Sequence, residues 1–261
     1  MIDTRTLIPL ILSCIAGLST VLGAFIVFFS KSNNKKLITF ALGFSAGVMI
    51  TVSFTDLFPA AEEALTKFHG NIKGLLYTLL FMSIGSLMAF LIDKFIPENN
   101  ENGMLSNKGS NQNLYRIGLF SMIAIMVHNF PEGIATFISG YEDISLGIYI
   151  TIAIMLHNIP EGISIAIPIY CSTNKKSTAF LYTFISGIAE PIGAIITLLF
   201  LKPFINEVLL GITFAIVCGI MLYIAFEELL PGSIETNHRS LYLSSVFLGI
   251  LIIPISHLVI H

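Results

Sequence analysis

The sequence predicts an all-α integral membrane protein of eight transmembrane helices, arranged 3+2+3 with inverted repeats. Three observations carry that expectation. Hydrophobic residues make up 55% of the 261 and charged residues only 11%, where a soluble globular chain carries about 25% charged residues. Mean hydropathy is +0.87. Eight apolar runs, near 7–30, 37–59, 72–96, 114–139, 144–170, 177–201, 207–230 and 240–260, each supply the roughly 20 residues that a helical span needs. Finally, stretches of the chain match one another at constant offsets, as inverted-repeat transporters do.

Taken in order, the first run lacks a cleavage-site pattern and exceeds a signal-peptide core, so it is read as a retained span. Span 2 carries Met49, Ser53 and Asp56 at i, i+4 and i+7, on one face of a helix. Residues 97–113, rich in Asn, Gly and Ser, follow span 3 as a flexible cytoplasmic loop. Spans 4 and 5 hold His128-Asn129-Phe130-Pro131-Glu132-Gly133 and His157-Asn158-Ile159-Pro160-Glu161-Gly162. Span 6 adds Glu190-Pro191, and span 7 adds Glu227 and Glu228 near its end. No soluble domain remains, so 1–261 reads as one transmembrane transporter domain with membrane lipid as a partner. The net charge of -3 identifies no partner, and no nucleic acid is expected.

With the N-terminus outside, the inner side carries Lys31, Lys35, Lys36, Lys94, Lys108, Arg116, Lys175, Lys176 and Arg239. The outer side carries Arg5, Lys67, Lys73 and Lys202. That asymmetry predicts both termini outside a cell membrane. Cys14, Cys171 and Cys218 are dispersed and odd in number, so no disulfide framework is expected.

The repeats concern two pairs. Gly47-Val48-Met49-Ile50, Phe54 and Asp56-Leu57-Phe58-Pro59 match Gly219-Ile220-Met221-Leu222, Phe226 and Glu228-Leu229-Leu230-Pro231 at an offset of 172. Spans 2 and 7 cross in opposite senses, which makes spans 1–3 and 6–8 an inverted repeat. Spans 4 and 5 form a second inverted pair, with Ile123-Ala124-Ile125-Met126 matching Ile152-Ala153-Ile154-Met155.

The chemistry sits in the twin hexapeptides. An ionisable side chain at mid-membrane costs roughly 2.5–3.5 kcal/mol on insertion scales, which makes it a functional-site hypothesis by default. His and Glu at i and i+4 share a helix face, and imidazole with carboxylate suits Zn, Fe, Mn or Co better than Mg or Ca. Pro131 and Pro160 deprive the carbonyls of Val127 and Leu156 of their helical partners, so a kink is expected in each helix. Glu190 supplies a third mid-membrane carboxylate, and a bound divalent ion or two would relieve the repulsion among the three. Met49, Ser53 and Asp56 read as an entrance, Glu227 and Glu228 as an exit. An intramembrane metalloenzyme is the weaker alternative, since the chain has neither His-Glu-x-x-His nor the Glu-x-x-His of di-iron bundles. A metal-binding protein that does not transport is the other, and the repeats weigh against it.

On the two His-Asn-x-Pro-Glu-Gly segments, the Glu-Pro of span 6 and the Gly-Phe-Ser-Ala-Gly-Val-Met segment of span 2, the chain resembles the ZIP (Zrt/Irt-like) family, and within it the bacterial ZupT-like group. The resemblance implies uptake of zinc, and of iron, manganese, cobalt or cadmium, into the cytoplasm by an elevator-like movement of spans 1, 4, 5 and 6. It also implies a two-metal centre. His128, Glu132, His157 and Glu161, with Met49, look like the primary site; Asn129, Asn158 and Glu190 look like the second, bridged by Glu132 and Glu161. No cofactor beyond the transported metal is implied. A homodimer is, and Gly43-x-x-x-Gly47 is a weak sign of one. Many relatives carry a His-rich loop between spans 3 and 4, whereas 97–113 has no His, and Asn in both halves of the second site leaves selectivity open.

Overall fold

A computed structural model describes residues 4–29, 31, 34–95, 107–201, 206–234 and 238–260, and every regular element among them is helical. The helices are α1 (Thr4–Ala24), α2 (Lys35–Val52), α3 (Phe58–His69), α4 (Asn71–Phe95), α5 (Asn107–Glu142), α6 (Ile144–Thr173), α7 (Lys176–Gly187), α8 (Ala189–Ile196), α9 (Glu207–Tyr223), α10 (Leu230–Ile234) and α11 (Arg239–Ile260). Among the described residues seven helical stretches are long and apolar enough to cross a membrane. The eighth expected span corresponds to α11, apolar over Arg239–Ile255.

Local chemistry sets the ends. Asn34 and Asn206 cap α2 and α9, their side-chain oxygens accepting from the backbone N–H of Leu37 at 3.2 Å and of Leu209 at 2.9 Å. Gly70, at φ 79°, turns the chain from α3 into α4 in a conformation that other residues adopt with strain. Asp143 alone joins α5 to α6 and accepts from the N–H of Ser145 at 2.7 Å.

Two features depart from the expected spans. Span 2 continues beyond 59 as α3, reaching His69. The chain is also already helical from Asn107, inside the stretch expected as a loop over 97–113; residues 97–106 of that stretch lie outside the described ones.

The prolines sit in two backbone settings. Helices α5 and α6 stay helical through Pro131 and Pro160. Irregular backbone falls at a 3-10 segment, Phe25–Phe29, at a π-turn, Thr197–Leu201, and at Ser53–Leu57 and Ile224–Leu229, two π-helical turns placed just before Pro59 and Pro231. There the N–H of Phe58 bonds to the carbonyl of Ser53, and that of Leu230 to the carbonyl of Ala225, five residues back. A proline ring crowds the carbonyl four residues earlier and offers it no N–H, and a widened turn relieves the crowding.

The helices sort into two groups. One packs α1, α5, α6 and α7–α8 together; the other packs α2–α3, α4, α9–α10 and α11. Their ends meet consistently with alternating spans. Arg5 at the start of α1 stacks over Tyr141 at the end of α5, and Lys67 of α3 pairs with Glu207 of α9 at 2.7 Å. At the other end, Lys176 of α7 donates to the carbonyl of Phe28, beyond α1, at 3.1 Å. Between α2 and α11 the contact is close: a Cβ on Gly43 would collide with Ser245, and one on Gly47 with the backbone of Val246. The Gly43-x-x-x-Gly47 pair is therefore used within the chain, and does not mark a dimer face as expected. Large apolar side chains such as Leu76, Leu80, Leu87 and Phe90 of α4 cover the outside, as lipid-facing helices require.

Candidate metal centre

Helices α5 and α6 run side by side, and each presents its hexapeptide to the other. His128, Asn129, Glu132, His157, Asn158, Glu161 and Glu190 are all buried. Pairing is across the interface. His157 Nε2 forms a hydrogen bond with Glu132 Oε1 at 3.2 Å, and His128 Nε2 approaches Glu161 Oε1 at 3.1 Å. The contact within α5, between His128 Nε2 and Glu132 Oε2, is longer at 4.0 Å.

The 3.1 Å approach of His128 to Glu161 is off the hydrogen-bonding direction, so neither atom gains a hydrogen bond from it. Both oxygens of Glu161 lack partners, as do Glu132 Oε2, Glu190 Oε1, Asn129 Oδ1 and Asn158 Oδ1. Each is a buried lone-pair donor, and leaving such an atom unsatisfied costs about 1–3 kcal/mol. A divalent cation bound among them would satisfy several at once. As the side chains stand, no three His, Cys, Asp or Glu residues among those described close around one point. The donor set fits a borderline divalent ion in chemistry, and its members are engaged in pairs.

The two asparagines tie the centre to the neighbouring helices. Asn129 Nδ2 donates to the carbonyl of Ser186 at 3.1 Å. Asn158 Nδ2 donates to the carbonyl of Ala16 at 3.1 Å and to Glu190 Oε2 at 3.0 Å. Glu190 lies in the first turn of α8, just after a break at Ile188, where Pro191 can give no N–H to the carbonyl of Gly187. Gly133 and Gly162 let the neighbouring helices in: a Cβ on Gly133 would overlap the carbonyl of Glu190, and one on Gly162 the carbonyl of Thr20. From the second helix group, Ser45 of α2 donates to the carbonyl of Pro160 at 2.6 Å.

The remaining expected residues lie in α2 and in the π-turns that follow α2 and α9. Met49 is fully buried in the main apolar cluster. Ser53 is buried with its hydroxyl unpartnered, while its carbonyl, in the π-turn, accepts from Cys218 Sγ at 3.4 Å. Asp56 is half-buried and accepts from Thr55 at 3.1 Å. The span 7 pair is divided: Glu227 faces outward, and Glu228 is buried against Arg116 Nη1 at 3.0 Å. Arg116 also pairs with Asp93, which accepts from the Tyr223 hydroxyl at 3.1 Å. This cluster ties α5 to α4 and to the π-turn after α9. In the sequence Arg116 reads only as an inner-side positive charge and Asp93 carries no assignment, though an acid and a base near the ends of apolar runs are the available signal.

The family described as ZIP zinc transporter matches 97–256. Zinc transporter ZupT of Streptococcus mutans is 46% identical over 250 residues, covering 94% of this chain and 95% of that protein. The chain belongs to the ZIP zinc transporter family. Among its ZIP relatives, zinc transporter ZupT of Oceanobacillus iheyensis is 44% identical, covering 97% of this chain and 98% of its own, and that of Akkermansia muciniphila 40%, covering 95% and 96%. ZIP proteins are transporters, so the metalloenzyme reading of the buried centre falls away.

Proposed function

We infer that the chain carries zinc across the cell membrane into the cytoplasm, with iron, manganese, cobalt and cadmium as further substrates. The observation that carries this is the set of unpartnered lone pairs on Asn129, Glu132, Asn158, Glu161 and Glu190, buried between α5, α6 and α8 beside two imidazoles. Two ions occupy the centre. His128, Glu132, His157 and Glu161, with Met49, hold the first; Asn129, Asn158 and Glu190 hold the second, and Glu132 and Glu161 bridge them. Ser53 and Asp56 lead in, and Glu227 and Glu228 lead out.

Movement is by alternating access, with α1, α5, α6 and α7–α8 shifting as a unit against the rest. Support comes from the division of the packing into those two groups and from π-turns that recur at the offset of 172 separating spans 2 and 7. Eight spans in 3+2+3 order, with both termini outside, accommodate the helix-end contacts and the distribution of Lys and Arg. The single transporter domain covers the chain, with 97–106 as a connecting cytoplasmic loop, and the transporter works as a homodimer. Equilibrium zinc binding to the purified protein tests the centre: two ions per chain are expected, falling to one or none in Glu190→Ala and Glu132→Ala. Unchanged stoichiometry in both variants would remove these residues from the site.

A further inference from the structure

The surroundings of the centre obey a local two-fold relation that brings in a residue from α1. At an offset of 170, Gly17-Leu18-Ser19-Thr20-Val21-Leu22-Gly23-Ala24 parallels Gly187-Ile188-Ala189-Glu190-Pro191-Ile192-Gly193-Ala194. Contacts follow the same exchange, with α1 taking the place of α7–α8 and α6 that of α5. Asn158 donates to the carbonyl of Ala16 and Asn129 to that of Ser186, each at 3.1 Å. A Cβ built on Gly17 would stand 3.2 Å from Glu190 Cβ, and one on Gly187 would stand 3.3 Å from Thr20 Cβ. Gly162 faces the carbonyl of Thr20 as Gly133 faces that of Glu190.

Thr20 therefore stands where Glu190 stands in the other half. Its side chain is fully buried and its hydroxyl has no hydrogen-bond partner. Asn158 donates to the Glu190 carboxylate at 3.0 Å, whereas its mirror Asn129 makes no such bond to Thr20, whose hydroxyl is left unpartnered. The two halves thus differ at this one position, a carboxylate held by an amide in one and an unpartnered hydroxyl in the other.

Resting on the reading of this region as the metal centre, we propose that Thr20 is a further metal-path residue, the neutral counterpart of Glu190, whose hydroxyl serves a divalent ion from the Asn129 side. The inequality has a chemical consequence. Three carboxylates, Glu132, Glu161 and Glu190, balance part of the charge of two divalent ions, and a fourth at position 20 would hold the ions more tightly and slow their release. The hydroxyl supplies a ligand without that charge.

The test is zinc binding to the purified, full-length protein in detergent, by titration calorimetry, each variant being first required to elute as a single species on size exclusion. Thr20→Val keeps the shape and removes the hydroxyl, and is expected to weaken zinc binding about tenfold, with Thr20→Ser restoring it, in the range seen when a group supporting a metal ligand is lost. Glu190→Thr is expected to weaken binding more, and the exchange Thr20→Glu with Glu190→Thr to recover most of the loss by returning the carboxylate to the mirror position. Thr20→Val indistinguishable from wild type, or a folded exchange variant that binds no better than Glu190→Thr, overturns the proposal while leaving the centre intact. Absence of zinc binding by the wild-type protein would overturn the centre and this proposal together.

Discussion

His157 on α6 reaches Glu132 on α5 at 3.2 Å, a contact between helices rather than along one. The i, i+4 spacing within each hexapeptide puts His and Glu on one face, and the packing of α5 on α6 then decides their partners. Each acid answers to the other helix's base. Losing one member therefore disturbs both helices. Glu132→Ala is expected to lower zinc affinity by about 10- to 100-fold, as removal of a metal-site group does, with membrane insertion unchanged. Binding isotherms on protein extracted at equal yield would check it.

Gly133 and Gly162 set the spacing of the centre. Either residue changed to Ala places a methyl group inside a facing backbone carbonyl, that of Glu190 or that of Thr20. Backbone cannot yield as a side-chain end can, so each variant is expected to lose about 1–3 kcal/mol or more of stability. Thermal unfolding in detergent, followed by the loss of monodisperse protein, reads this directly.

Arg116 joins Glu228 and Asp93 across the boundary between the two helix groups. All three side chains are largely withdrawn from their surroundings, and Arg116→Ala would leave two acids facing each other. Breaking a buried pair from one side costs about 3–5 kcal/mol, and the one-fifth exposure of Arg116 places the expected loss at the lower end. A double-mutant cycle with Glu228→Gln should recover part of it. No coupling between the two substitutions would mean that the pair is incidental to the packing.

Residues 97–106 contain no His, Cys or Asp and hold no member of the centre. Replacing 99–106 with a glycine–serine segment of equal length is expected to leave the uptake rate within about twofold, since such linkers are conformationally permissive. A larger loss would show that the segment takes part in transport.

Legibility in the sequence followed the range of the interaction. The spans were readable because a bilayer imposes a local requirement, apolar length, that composition records directly. The hexapeptides were readable because buried His and Glu are expensive wherever the helix goes. What could not be read was pairing across helices: that His128 faces Glu161, that Arg116 takes Glu228 and divides it from Glu227, and that Gly43 and Gly47 serve α11. Proline gave a half-true signal. Its missing N–H is local, but whether the chain kinks, widens into a π-turn or continues unbroken depends on what packs beside it, so Pro59 and Pro231 follow π-turns while Pro131 and Pro160 sit in continuous helix.

The most direct measurement is uptake of radioactive zinc into proteoliposomes containing the purified protein, with Glu161→Ala reconstituted at the same density and with iron, manganese, cobalt and cadmium as competitors. Uptake by the wild type, its loss in Glu161→Ala, and competition by the other ions are expected. Undiminished uptake in Glu161→Ala, or no uptake by a wild type that binds zinc stoichiometrically, would contradict transport through the α5–α6 centre.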